Sequence, residues 1–197
     1  MASEAATTAS LPDRMLRAAR LNVPLYEEVE ADTTATTQAL TVVVLVSLAS
    51  GISSAIAGSM RGGAGNVIGA LIAGIVFALV GWAIWSFVIY FVGTKIFGGV
   101  ATYGEVLRTL GFAESPGVLA ILGFIPVLGG IIAFIAGIWV IVASFIGTRQ
   151  ALDISNGKTI GTIVVAICVL LILAIIIGTI FGGIFALGML AGGATRP

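Results

Sequence analysis

The sequence predicts an all-α membrane protein: a polytopic bundle of five membrane-spanning helices in which helices 3 and 4 form a tight hairpin. Three observations support this fold class. The chain is 59% hydrophobic, only 9% of it is charged, and four long stretches contain no charged residue. Soluble domains carry roughly 25% charged residues. The uncharged stretches cover residues 33–60, 62–94, 115–148 and 159–195, and each exceeds the roughly 20 residues that a transmembrane helix needs.

The chain divides into an N-terminal segment, residues 1–37, and a transmembrane domain, residues 38–193. The first segment is polar and of mixed charge, and we expect a short amphipathic helix within it. The predicted spans are residues 38–60, 66–96, 104–126, 129–149 and 159–187. The second is longer than the hydrocarbon core requires, so it must tilt or project beyond the lipid.

The third uncharged stretch is divided into two spans because a proline and two glycines interrupt it near its middle. Pro126 lacks a backbone N–H, and Gly129 and Gly130 relax the helix where the chain could reverse. We therefore predict a hairpin turn at these three residues, with a helix ending near Ile125 before it. The first arm is too short to span alone, so we expect it to extend back through residues 103–114, partly at the interface.

The distribution of Lys and Arg favours this division. With five spans, seven basic residues lie on one side of the membrane and two on the other, whereas four spans give six and three. Basic residues concentrate in cytoplasmic loops. We therefore expect an integral protein of a bacterial cytoplasmic membrane, with its N-terminus in the cytoplasm and its C-terminus outside.

Small residues four positions apart predict the faces by which the helices pack, because close backbone approach drives association in lipid. Three such stripes occur: Gly65, Gly69 and Ala73; Gly129, Ala133 and Gly137; and Gly178 with Gly182. Chance spacing is the alternative in a chain with 27 glycines. The faces could meet within one chain or between chains, so self-association is a candidate.

The composition excludes most chemistry. The chain has no histidine and a single cysteine, Cys168, so a Ser-His or Cys-His nucleophile and a His- or Cys-based metal site are excluded. No catalytic residue and no cofactor are expected. The formal net charge is zero, which indicates no nucleic-acid partner. Ion pathways usually carry ionisable residues, and the uncharged stretches have none.

The first charged segment, residues 11–32, contains a predicted basic helix that Pro24 should end. Its apolar face holds Met15, Leu16 and Ala19, and three arginines surround that face: Arg14, Arg17 and Arg20. Such a helix is suited to lying on the cytoplasmic leaflet, so these arginines are candidate lipid or partner contacts. The acidic patch that follows, at residues 27–32, is expected to face solvent, with a basic partner as the alternative.

The second charged segment, residues 101–116, precedes the third span. Glu105 and Arg108 are three positions apart and could pair on one helix face. Glu114 precedes Pro116, where a carboxylate would suit the start of a helix. Two interpretations stay open: a charge-paired connector, or a recognition surface that includes Tyr103, Glu105, Arg108 and Glu114.

These segments also carry a family resemblance. The sequence TYGEVLRTLGFAESP at residues 102–116, followed by a long apolar hairpin and GTRQAL at residues 147–152, resembles the Yip-one domain (YIP) family, especially its prokaryotic members. RAAR at residues 17–20 and LYEEVEAD at residues 25–32 are similar to the N-terminal segment of some bacterial members. The resemblance covers most of residues 15–180.

The resemblance implies five transmembrane helices, a cytoplasmic N-terminus and no enzymatic activity. Eukaryotic relatives act in early secretory trafficking and interact with prenylated Rab GTPases. This chain lacks the Asp-Leu-Tyr-Gly-Pro-type motif of those relatives, so a Rab-type GTPase is not expected as its partner. Our first hypothesis is a non-enzymatic scaffold or accessory subunit that contacts lipid or other membrane proteins through its cytoplasmic face. The alternative is a small transporter or channel component.

Overall fold

A computed structural model describes residues 9–61 and 65–193 of the chain, with side chains described as far as Gly182. Residues 1–8 of the predicted N-terminal segment, and Arg196 from the charge count, lie outside the described residues. The elements are α1 (Leu11–Ala19), α2 (Val23–Ala31), α3 (Ala35–Met60), α4 (Val67–Lys95), α5 (Tyr103–Ala113), a 3-10 segment (Ser115–Phe124), α6 (Leu128–Ala151) and α7 (Asn156–Gly193).

Within the described residues, five helical stretches are long and apolar enough to cross a membrane: α3, α4, α5 together with the 3-10 segment, α6 and α7. Large apolar side chains such as Phe77 and Phe134 are 78% and 70% exposed on their surfaces. Such exposure suits a surface that faces lipid rather than water. The predicted all-α, polytopic bundle is confirmed. The third span is the least apolar of the five and the most buried.

The two short helices α1 and α2, which we call the N-terminal helix pair, fold against the bundle. Pro24 lies in the first turn of α2, and the Asn22 side chain before it accepts a hydrogen bond from the Leu25 amide. The fully buried Leu25 and Val29 of α2 belong to one apolar cluster with residues of α3 and α5. The pair is therefore part of the packed core.

The third span changes its helix type partway along. We predicted a helix that continues to about Ile125, but the α-helix ends at Ala113 and residues 115–124 form a 3-10 helix. Pro116 lies in the first turn of that segment, where its missing N–H removes a donor from the α-helical pattern. A 3-10 run of this length is uncommon.

The 3-10 geometry brings the third span close to α3. With three residues per turn, Gly117 and Gly123 lie on one face. A methyl group added at Gly117 would come within 2.8 Å of Val46, and one at Gly123 within 2.9 Å of Ser53. These two glycines therefore bring the backbones of the two helices together. The spacing of six residues explains why a search for small residues four positions apart misses this face.

The chain reverses between the 3-10 segment and α6. The Leu128 amide donates to the Pro126 carbonyl oxygen at 2.7 Å, and Val127 between them has φ 66° and ψ −55°. This is a γ-turn with a positive φ, which is strained for a β-branched residue. Gly129 packs against the backbone of Gly123, whereas Gly130 has no atom near its added-methyl position. Val127, which the sequence did not single out, is the central residue of the turn.

The predicted small-residue stripes do not form contact faces within the described part of the chain, Gly129 excepted. No atom lies within 4 Å of an added methyl group at Gly65, Gly137, Gly178 or Gly182. Gly69 meets only the side chain of Asn66 in its own helix, and Ala73 and Ala133 are exposed. Association of these stripes between chains stays a prediction.

Several other glycines each face a large side chain on another element. Gly93 faces Leu152, Gly147 faces Tyr26, and Gly161 faces Phe97. One small residue opposite one large residue is enough for such a contact. No regular spacing along either helix is needed, and none is present.

Candidate functional site

Arg14 fixes the N-terminal helix pair to the start of α3. It is 3% exposed, and its guanidinium donates to three side chains on two other helices. Nε donates to Glu28 at 2.9 Å, Nη2 to Asp32 at 2.8 Å, and Nη1 to Gln38 at 2.9 Å. In this arrangement Arg14 is not a surface contact for lipid. Two members of the acidic patch that we expected to face solvent, Glu28 and Asp32, are instead its partners, because the turn between α1 and α2 brings them together.

The other two arginines of α1 lie nearer the surface. Arg17 contacts Glu28 at 2.7 Å and Asp13 at 3.7 Å, whereas Arg20 is exposed and has no ion pair among the described residues. Leu16, one turn before Arg20, is 50% exposed. The face of α1 that turns away from the bundle therefore carries an apolar and a basic side chain next to each other.

The C-terminal end of α1 lies beside α6. The Trp139 indole Nε1 of α6 donates to the Ala19 carbonyl oxygen at 2.7 Å. Trp139 lies twelve residues before the end of α6 at Ala151, which is about 18 Å along the helix. An amphipathic helix at the membrane interface sits about 5–10 Å into the headgroup region. Ala19 therefore lies farther from the end of α6 than this depth, and lipid contact by Arg20 stays a prediction.

Arg108 does not form the pair with Glu105 that their spacing in the sequence allows. Arg108 is 5% exposed and donates through Nε to the Val29 carbonyl oxygen at 2.8 Å and through Nη2 to that of Glu30. Glu105 instead completes a capping box with Thr102 at the start of α5. The last carbonyls of α2 lack partners within their helix. A cationic donor there satisfies these carbonyls and also interacts favourably with the negative end of the helix dipole. The Arg108 side chain therefore binds the C-terminal end of α2 and not Glu105.

Tyr103 also makes an internal contact. Its hydroxyl donates to the Ala83 carbonyl oxygen in α4 at 3.0 Å, and its ring centroid lies 6.0 Å from that of Phe87 and 6.3 Å from that of Tyr90. These contacts hold the start of α5 against α4. Tyr103, Glu105 and Arg108 therefore all make contacts within the chain.

Glu30 lies among like charges at the end of α2. Burial, followed by the negative charges of Asp153, Glu105 and Glu27, raises the pKa of Glu30 from its ordinary 4.5 to about 7, and Arg108 opposes this. A folded-state pKa above the unfolded one means that the folded protein binds the proton more tightly. This contribution to stability is complete below the unfolded pKa and is lost as the pH rises towards the folded pKa.

We therefore expect the melting temperature of the detergent-solubilised protein to fall between about pH 4.5 and about pH 7. Glu30→Gln should flatten this slope, and Asp13→Asn, a change on the exposed side of α1, should retain it. Asp32 does not interfere, because a hydrogen bond from Thr34 lowers its pKa and shifts its titration to more acidic values. A slope that persists unchanged in Glu30→Gln would contradict the assignment.

A groove of about 810 Å³ lies between α3 and α4, and Glu114 is the single ionisable residue in its described lining. Glu114 is the N-cap of the 3-10 segment, so it lies at the start of a helix as we expected, but it lies inside the third span and not in a loop. Its carboxylate makes no hydrogen bond or ion pair with the residues that the structure describes.

Serines also line the groove, together with two tryptophans. Ser47, Ser50 and Ser54 of α3 follow a three- and four-residue spacing, so they share one helix face. This spacing is the one signal in the sequence that could have indicated the polar face. Trp82 and Trp85 of α4 lie on the other side of the groove.

The described residues contain no group of three or more His, Cys, Asp or Glu side chains that could hold a metal ion. Five apolar helices, a packed N-terminal helix pair and a lateral groove define the chain as a polytopic integral membrane protein. The family model of the Yip1 domain matches residues 25–179. The chain therefore belongs to the Yip1 domain family, which is not a known enzyme family. No curated protein and no solved structure matches the chain.

Proposed function

We propose that this protein is a non-enzymatic, membrane-organising scaffold or accessory subunit that acts through its N-terminal face, which we assign to the cytoplasm. The observation that supports this role is the rigid placement of α1 on the bundle. Arg14, Arg108 and the indole of Trp139 hold the N-terminal helix pair in one position. A surface held in this way binds a partner without an added ordering cost.

The recognition surface is the exposed face of α1, which comprises Pro12, Asp13, Leu16 and Arg20. It combines an exposed leucine with a basic side chain that has no ion pair among the described residues. An apolar anchor beside a positive charge fits an acidic segment of another membrane protein, close to the lipid headgroups. The membrane-embedded helices then act as the anchor that keeps this face at the bilayer surface.

We expect Leu16→Asp to reduce recovery of the partner about tenfold, because burying a leucine contributes about 1.5–3 kcal/mol. The measurement is quantitative mass spectrometry of proteins that co-purify with the tagged protein after mild detergent extraction. Val100→Asp is the matched control, since Val100 is 77% exposed in the connection between α4 and α5. Equal recovery with both variants, or no stable partner or lipid with the unmodified protein, would contradict the proposal.

The alternative role, a component of a transporter or channel, is favoured by one observation. The third span contributes a carboxylate, Glu114, to the groove between α3 and α4, and ionisable residues within spans mark many transport pathways. Solute flux into proteoliposomes of the purified protein distinguishes this role from a scaffold, which would show none.

A further inference from the structure

We propose that the groove between α3 and α4 binds a phospholipid with a primary ammonium headgroup. The ammonium donates to the Glu114 carboxylate, and one acyl chain lies along the groove. This site is separate from the exposed face of α1 and does not depend on the protein partner proposed above.

The first support is the contrast between Glu114 and the other charged side chains inside the bundle. Arg14 and Arg108 are 3% and 5% exposed, and each donates at least two hydrogen bonds to groups of the chain. Glu114 has no such partner among the described residues and faces a mainly apolar groove. A carboxylate inside a membrane span is expensive unless a cation or hydrogen-bond donor accompanies it. A ligand with a cationic donor would meet this need.

The second support is the depth of Glu114. The preceding Gly111 packs against Ala39, in the second turn of α3, and the following Gly117 packs against Val46. Glu114 therefore lies between the depths of Ala39 and Val46, one to three turns from the N-terminal end of α3. That end is the one that carries the polar contacts of Arg14. A lipid headgroup would reach this depth from the same side as the N-terminal helix pair.

The third support is the length of the groove. Its lining on α3 extends from Val43 to Gly58, and these two residues are about 22 Å apart along the helix. One leaflet accounts for about half of the roughly 30 Å hydrocarbon core. The groove is therefore long enough for one acyl chain that starts near Glu114 and runs away from the N-terminal helix pair.

The headgroup chemistry follows from the polar atoms in the groove. A primary ammonium offers three hydrogen-bond donors, as the Lys side chain does. One would go to the Glu114 carboxylate, and the hydroxyl oxygens of Ser47 and Ser144, which also line the groove, can accept the others. A trimethylated ammonium has no N–H to donate, and an anionic headgroup without an amine would be repelled. Phosphatidylethanolamine is thus the preferred ligand and phosphatidylcholine the discriminating comparison.

The tryptophans provide a direct measurement. Trp82 and Trp85 line the groove, and Trp139 on α6 is removed as background by Trp139→Phe. This variant is reconstituted into phosphatidylcholine vesicles. Increasing fractions of brominated phosphatidylethanolamine or brominated phosphatidylcholine are then included, because bromine atoms on the acyl chains quench nearby indoles. We expect half-maximal quenching at a mole fraction of phosphatidylethanolamine about tenfold lower than of phosphatidylcholine, as one hydrogen bond to a charged group implies.

Two variants test the site in this background. Glu114→Gln should abolish the preference between the lipids, and Glu27→Gln, on the exposed side of α2, should preserve it. Gly74→Leu should weaken quenching by both lipids, because Gly74 lines the groove and has no atom near an added methyl group. Gly137→Leu is its matched control, since Gly137 is equally open but lies on α6 outside the groove.

The proposal is overturned by equal quenching from the two lipids, which would show an unselective apolar groove. Quenching by neither lipid would also overturn it and would indicate a protein segment in the groove. A preference for phosphatidylethanolamine that persists in Glu114→Gln would likewise overturn the proposal. If Glu114→Gln does not fold, Gly74→Leu tests the site, because it retains Glu114 and fills the groove. Unchanged quenching of this variant by phosphatidylethanolamine would refute the site.

Discussion

Gly129→Ala is expected to destabilise the bundle by about 3 kcal/mol or more, which is at the upper end of overpacking costs. A methyl group at Gly129 would overlap the Gly123 carbonyl oxygen, far inside any allowed contact distance. Neither group can yield easily, because both are backbone and the γ-turn at Val127 joins them closely. The 3-10 segment and α6 would have to move apart. The measurement is thermal unfolding in detergent followed by near-ultraviolet circular dichroism.

Gly137→Ala is the control for this change. Gly137 is in the same helix and exposed, with no atom within 4 Å of an added methyl group. Its substitution should leave the melting temperature unchanged or raise it slightly, since alanine favours a helix by up to about 1 kcal/mol over glycine. An equal loss of stability in both variants would show that glycine matters for a reason other than the contact with Gly123.

Arg108→Met is expected to cost about 2–3 kcal/mol and to release the N-terminal helix pair from the bundle. The methionine keeps much of the side-chain volume but removes the hydrogen bonds to the carbonyl oxygens of Val29 and Glu30. Hydrogen bonds to charged groups contribute about 1.5–3 kcal/mol, and the buried carbonyls would be left without donors. We expect faster limited proteolysis between α1 and α3, together with a lower melting temperature.

Two further variants isolate the role of the guanidinium. Arg108→Lys keeps the charge but has one nitrogen in place of the fork that reaches both carbonyl oxygens, so it should recover only part of the protection. Lys158→Met removes a positive charge from an exposed position in the first turn of α7 and should change neither measurement. If Lys158→Met accelerated proteolysis as much as Arg108→Met, overall charge would explain the effect.

The number of spans was predictable because it depends on the absence of charge and on length, which are properties of the sequence alone. The 3-10 segment was not. Pro116 was interpreted as the start of a new α-helix, and the choice between two helix types depended on Val46 and Ser53 of α3, more than 60 residues away. The contacts of Gly117 and Gly123 follow from that choice, so a rule based on α-helical spacing could not find them.

Spacing along the sequence also could not predict the partners of the charged side chains. Arg108 and Glu105 are well spaced for a pair within α5, but α2 offers carbonyls that lack partners of their own. Arg14 likewise finds Glu28 and Asp32 only because the chain turns between α1 and α2. Glu114 begins a helix as predicted, but its neighbours on α3 and α4 place it in a groove, and no feature near it in the sequence indicates this.

The third span has a consequence for how the protein enters the membrane during synthesis. It is the least apolar of the five and has the largest buried fraction, so lipid alone gives it the weakest drive to insert. Half of its backbone is also in the 3-10 form, whose hydrogen bonds have poorer geometry than those of an α-helix. We therefore expect this span to wait at the translocation channel until α6 emerges from the ribosome, and to move into the bilayer with α6 as one unit against α3.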